Sequence, residues 1–253
     1  MKTLQTLFLL FVLFNICGCS QNKAKKPAQI RWGQFLISDS AAHISLSRKG
    51  TEIYAADLDY ATLTEYQKYP PGKYTVSVKT DGQEILNKKI GLGTDGIYTL
   101  SLYGMPLKDQ KTNQSSTSEH LHRITEGAAA ETANAYLPQL DIMDDYFASA
   151  QNESKIRIVH LAPGVEPINA SISKSGNKKV SFSGIPYPKS GKNKSLNNGR
   201  NTISLSLNGS SQEISKNEFD VEKEKLYTFF VIPYKNKYLD HLRLVKGITP
   251  KMH

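Results

Sequence analysis

The feature that most limits how this chain can fold is a long internal repeat. Ile30-Arg31-Trp32 through Ser45-Leu46-Ser47 aligns without a gap on Ile156-Arg157-Ile158 through Ser171-Ile172-Ser173, at a constant offset of 126. Further on, Gly72-Lys73-Tyr74-Thr75-Val76-Ser77-Val78 aligns on Gly199-Arg200-Asn201-Thr202-Ile203-Ser204-Leu205 at 127, and Gly96-Ile97-Tyr98-Thr99-Leu100 on Lys225-Leu226-Tyr227-Thr228-Phe229 at 129. Offsets that drift so little over a whole unit mark a duplication, and the two copies should share one architecture. The chain is therefore read as two units, 28–106 and 154–249, joined by residues 107–153.

Each unit reads as β structure. Tyr74, Val76 and Val78 alternate with Thr75, Ser77 and Lys79, and Ile203, Leu205 and Leu207 alternate with Ser204, Ser206 and Asn208. This period of two puts one face in a core and the other in water. Turn signals break the runs at Pro70-Pro71-Gly72, Asp81-Gly82, Gly93-Thr94-Asp95-Gly96, Asn198-Gly199 and Asn208-Gly209. Short strands at this spacing predict an all-β fold of two tandem immunoglobulin-like antiparallel β-sandwiches, without the Cys-Trp-Cys signature of true immunoglobulin domains. Between them, Lys108–Ser118 is polar enough for a linker, Leu121, Ile124 and Ala128 have helical spacing within 119–135, and Leu137–Met143 looks extended, along a sandwich edge.

The N-terminus sets the compartment. Lys2 precedes the apolar run Leu7–Phe14, too short to span a bilayer and shaped like a secretory signal. Ile16-Cys17-Gly18-Cys19 resembles the bacterial lipoprotein processing box, which implies removal of residues 1–18, acylation of Cys19 by chains such as palmitate, and a tether over 19–27. An ordinary signal cut nearby is the alternative. Cys17 and Cys19 are the only cysteines, so the processed chain would have no disulfide, thiol nucleophile or thiolate metal site. Ser20 stands where an Asp would signal inner-membrane retention, which points to the outer membrane of a Bacteroidetes-like cell, with either face open.

Lys and Arg number 32 against 23 acidic residues, a net charge of +9. Lys23, Lys25 and Lys26 follow the lipid site, where positive charge meets anionic head groups. Nucleic acid is excluded as a partner class, because no basic run with interleaved aromatics is present. Anionic glycan or lipopolysaccharide phosphate stands beside the plainer reading of a Lys-rich soluble surface.

Ile156-Arg157-Ile158-Val159-His160-Leu161-Ala162-Pro163, followed by Pro167-Ile168-Asn169, resembles the opening of the domain-of-unknown-function family 4397, and Pro70-Pro71-Gly72-Lys73-Tyr74-Thr75-Val76 resembles a later strand of it. The resemblance implies tandem copies in a secreted or surface bacterial protein and names no chemistry. Gly164 stands where that family usually has Asp, and Gln34 stands where it has the His that is His160 in the second unit.

Candidate sites are few. His160 lies in a strand, where a lone His is usually hydrogen-bonded structure, and it is kept as a candidate ligand contact. His120, His122 and Glu119 make a poor chelate on a helix, and Asp141, Asp144 and Asp145 lack an EF-hand loop, so no metal and no cofactor is expected. No nucleophile elbow, H-E-x-x-H, phosphate loop or C-x-x-C occurs, so no catalytic residue is named. Tyr60, Tyr66 and Tyr187, from loop-rich stretches, are the candidate binding residues, since Tyr suits sugar stacking and protein interfaces alike. Asp39-Ser40-Ala41 resembles a D-[ST]-A type O-glycosylation signal, which marks Ser40. The function expected is a non-enzymatic cell-envelope lipoprotein binding an envelope protein or glycan, its oligomeric state open. The alternative is a glycan-processing enzyme with carboxylates supplied by separate loops.

Overall fold

The computed structural model describes residues 25–105, 136–174, 179–235 and 237–251, without the side chains of 237–240. The signal segment, Cys19 and the expected helix over 119–135, with His120, His122 and Glu119, lie outside the described residues. Among the described residues every regular element is a strand. The first half holds β1 (Ala28–Leu36), β2 (Ala42–Arg48), β3 (Thr51–Leu58), β4 (Thr62–Leu63), β5 (Gln67–Tyr69), β6 (Gly72–Thr80), β7 (Gln83–Leu92), β8 (Ile97–Gly104) and β9 (Gln139–Asp144). The second holds β10 (Ser154–His160), β11 (Ile168–Ser173), β12 (Val180–Ile185), β13 (Lys194–Leu196), β14 (Gly199–Leu207), β15 (Glu213–Val221), β16 (Lys225–Tyr234) and β17 (Lys237–Pro250).

Each half is a sandwich of two sheets. In the first, the sheet β4-β1-β8-β9, with β5 also on β1, faces the sheet β3-β2-β6-β7; in the second, β13-β10-β16-β17 faces β12-β11-β14-β15. The alternation seen in the sequence is kept. Tyr74, Val76 and Val78 point into the first core with Ile30, Trp32 and Leu100, and Ile203 and Leu205 into the second with Ile156, Ile158 and Phe229. One departure from an all-antiparallel sandwich recurs in both halves, because β1 pairs parallel with β8 and β10 pairs parallel with β16.

Leu140 and Ile142 of β9 also pack on the first core, so the stretch between the repeats supplies the edge strand of the first sheet. Its register reveals a further part of the duplication. Tyr98 pairs with Asp144 as Tyr227 pairs with Ile248, which makes β9 the counterpart of the end of β17 at an offset of 104.

The two halves stack through their β1- and β10-containing sheets, and that stacking buries both faces of the central strands. On β1, Ile30, Trp32 and Leu36 enter the first core while Arg31 and Phe35 turn to the other half. On β16, Tyr227, Phe229 and Val231 enter the second core while Thr228, Phe230 and Ile232 face the junction. The result is four layers of sheet with three buried seams. Contacts at the starts of β1 and β10, here the base, and at their ends, the crown, show that the halves run side by side in the same direction: Arg31 meets Ile248 at the base, and Phe35 stacks on Phe230 nearer the crown, with ring centroids 4.7 Å apart.

Candidate functional site

The junction holds most of the residues that sequence reasoning singled out. At the base, Arg31 donates through Nε to Thr99 (2.8 Å) and through Nη1 to the Ile248 carbonyl (3.1 Å). Arg157 repeats this pattern from the other side, donating to Thr228 (3.0 Å) and to the Asp144 carbonyl (3.0 Å). Each arginine thus caps the edge strand of the opposite half. The symmetry breaks at the next position, where Asp145 faces Thr249. The Asp145 carboxylate is fully buried, accepts from Arg157 and Thr99, and lies 3.8 Å from Arg31. Two buried cations therefore share one anion, an arrangement made tolerable by the further oxygens of Thr99, Thr228 and the Asp144 and Ile248 carbonyls, although Arg157 Nε is left without a partner. Gly247 makes room for it, since a Cβ there would lie 2.8 Å from Arg31 Nη2.

Tyr66 completes the cluster. Its hydroxyl donates to Asp145 (2.7 Å) and pairs with the Thr249 hydroxyl (2.8 Å), while the Arg31 guanidinium sits 4.6 Å from its ring centroid. Burial, reinforced by the Asp145 charge, pushes its phenol well above the ordinary range. At the crown, Tyr60 donates to the Pro233 carbonyl (2.8 Å) and packs with Phe35 and Ile232. Tyr187 meets Tyr103, Tyr136 and His160 edge-on, at centroid distances of 6.0, 5.6 and 6.2 Å. The three tyrosines chosen as binding candidates are thus half-buried parts of the seam between the halves. They do not form one open patch.

His160 is fully buried. Its Nδ1 accepts the Ala162 N–H (3.3 Å), which leaves Nε2 to donate to the Glu166 carbonyl (3.2 Å), and burial lowers its pKa to about 4. The imidazole is held neutral. Gln34, its counterpart in the first half, does the same work, with Oε1 accepting the Leu36 N–H at 2.8 Å. At both positions the side chain ties down the backbone where the first strand ends. Ser40 Oγ is enclosed within its turn, so a sugar could be attached there only with the turn opened.

The outward faces of the two outer sheets are open. On the second half an open groove of about 530 Å³ runs over Asn169, Ser171, Ser181, Ser183, Ser204 and Ser206. On the first half another open groove, about 570 Å³, lies nearer the base and is lined by Ser47, Lys49, Gly50, Lys73, Thr75 and Lys89. It carries three lysines, none of which has a carboxylate partner among the described residues. Period-two reading predicted these polar faces as faces, while the convergence of Lys49, Lys73 and Lys89 depends on strand register, with Ser47 opposite Thr75 and Thr75 opposite Lys89. Among the described residues no His, Cys, Asp and Glu group could hold a metal ion.

No family model matches the chain, and no curated protein matches it. Similar solved structures include the TIE protein of Bacillus anthracis, at 11% identity and a TM-score of 0.26, over 82% of this chain and 34% of that one. Two others are from Porphyromonas gingivalis: a tip fimbrial protein with C-terminal truncation (7% identity, TM-score 0.28, 89% of this chain and 99% of that one) and a fimbrial anchor protein (11%, TM-score 0.20, 88% and 97%). This chain spans about a third of the Bacillus protein's length. At these TM-scores the likenesses carry no argument about function.

Proposed function

We propose that this chain is a non-enzymatic lipoprotein of a bacterial outer membrane, tethered through Cys19, whose fused sandwiches serve as a binding or structural module for an envelope protein or glycan. The observation that carries this reading is how the buried charge is used. Among the described residues each buried Asp, Arg and His side chain, namely Arg31, Asp145, Arg157 and His160, is bonded to protein groups that hold strands or halves together. The interior chemistry is committed to rigidity, and the polar sheet faces are what the block offers to a partner. Export and the lipid are supported by the residues around Ile16-Cys17-Gly18-Cys19.

Two measurements test it together. Radiolabelled palmitate should enter the wild-type chain and be absent from Cys19→Ser, which should leave the membrane fraction. Purified chain offered envelope polysaccharides should give no turnover. Cleavage that disappears on mutating one Asp or Glu would replace this reading with the glycan-processing one.

A further inference from the structure

The position of the three-lysine groove says more than its charge. Lys49 and Gly50, at φ of 51° and 82°, form the tight β2–β3 turn at the base, and Lys73 and Gly91 pair at the adjoining ends of β6 and β7. The chain enters the fold at this same end. Lys26 Nζ bonds Asp95 (2.8 Å) in the turn that follows β7, and the Asp95 N–H bonds the Lys26 carbonyl (3.3 Å). Gly91 is opposite Lys73, so no side chain fills the groove between Lys73 and Lys89. Seven Cα-to-Cα steps, with six residues between, lead from Cys19 to Lys26 and can span at most about 25 Å. A lipid on Cys19 therefore keeps the base, and the groove with it, next to the membrane surface.

We propose that the Lys49, Lys73 and Lys89 groove binds the phosphates of lipid head groups in the membrane that carries the tether, so that the four-layer block stands on its base. The inference rests on the lipoprotein reading for its geometry. Like charges gathered with no carboxylate paired to them repel one another, and an anion relieves that repulsion while the Ser47 and Thr75 hydroxyls supply hydrogen bonds. Phosphate in a head-group layer fits because the tether fixes its distance, whereas a soluble polyanion gains nothing from the groove's location. Lys25 adds to the same field.

The test uses the chain from residue 20 onward, which keeps every described residue and has no lipid, so its outcome is separate from that of palmitate labelling. Sedimentation with vesicles of phosphatidylglycerol and phosphatidylcholine, three parts to seven, is compared with pure phosphatidylcholine at low ionic strength. Binding is expected on the anionic vesicles only. The triple variant Lys49→Gln, Lys73→Gln, Lys89→Gln should bind about a hundredfold more weakly, given the contribution of each lysine near an anionic surface. A triple variant remote from the groove, Lys192→Gln, Lys216→Gln, Lys246→Gln, should bind like wild type. Equal weakening by both triples would reduce the effect to net charge and overturn the site. Groove-dependent binding to immobilised polygalacturonate, with none to anionic vesicles, would assign the groove to a soluble glycan instead.

Discussion

Replacing His160 with Gln should remove a defined part of the protein's acid sensitivity while keeping its fold. In the folded protein burial holds this imidazole neutral with a pKa of about 4, whereas in the unfolded chain it returns to about 6.5. Because the folded-state value is the lower one, the stabilisation is fully present above about pH 6.5. It is lost as pH falls, because the unfolded state takes up the proton first, and the loss is complete below about pH 4. A difference of about 2.5 units corresponds to roughly 3 kcal/mol. Gln can replace the hydrogen bond, as Gln34 shows by accepting the Leu36 N–H at 2.8 Å. Urea unfolding of wild type and His160→Gln at intervals between about pH 4 and pH 7.5 would expose the slope. The gap between the two stability curves should change by about 3 kcal/mol in favour of the variant toward acid. Parallel curves, differing by a constant within about 0.5 kcal/mol, would refute the buried neutral imidazole. The reciprocal Gln34→His should add a second acid-sensitive position.

Asp145→Asn leaves Arg31 and Arg157 buried without their shared anion and should cost about 3–5 kcal/mol in chemical denaturation; a loss below about 1 kcal/mol would mean that the arginine charges are not confined as described. Gly247→Ala pushes a methyl group against Arg31 Nη2 and Leu63, each 2.8 Å from the new Cβ, and should cost about 1–3 kcal/mol; a neutral thermal melt would show that the seam yields freely there.

The cores were legible in the sequence and the seam was not, for identifiable reasons. Alternation at Tyr74, Val76 and Val78 reports one buried face, which is all that β6 has. In β1 and β16 nearly every residue is buried, and the run Leu226–Ile232 carries that information as continuity where an ordinary half-exposed strand would alternate. Arg31 and Arg157, at matching positions of the repeat, were a second available signal, since a charge repeated beside core residues needs a partner on the other face. That partner could not be found by spacing. Asp145 resembled a turn acid, and Tyr66 reaches it across 79 residues. Strand β9 escaped detection as part of the duplication because residues 105–138 separate it from β8, whereas β17 follows β16 directly.

The parallel pairing of β1 with β8 has a mechanical consequence. A pull on the N-terminal end of the described fold draws β1 lengthwise out of its sheet, since the strand begins at the base and is flanked by β8 on one side and β4 and β5 on the other. Its cross-strand bonds lie across the direction of that pull, so they are loaded together in shear. None can be peeled open ahead of the rest. The first strand of the fold is thus the one best placed to transmit a force applied at its N-terminal end to the body without unravelling it.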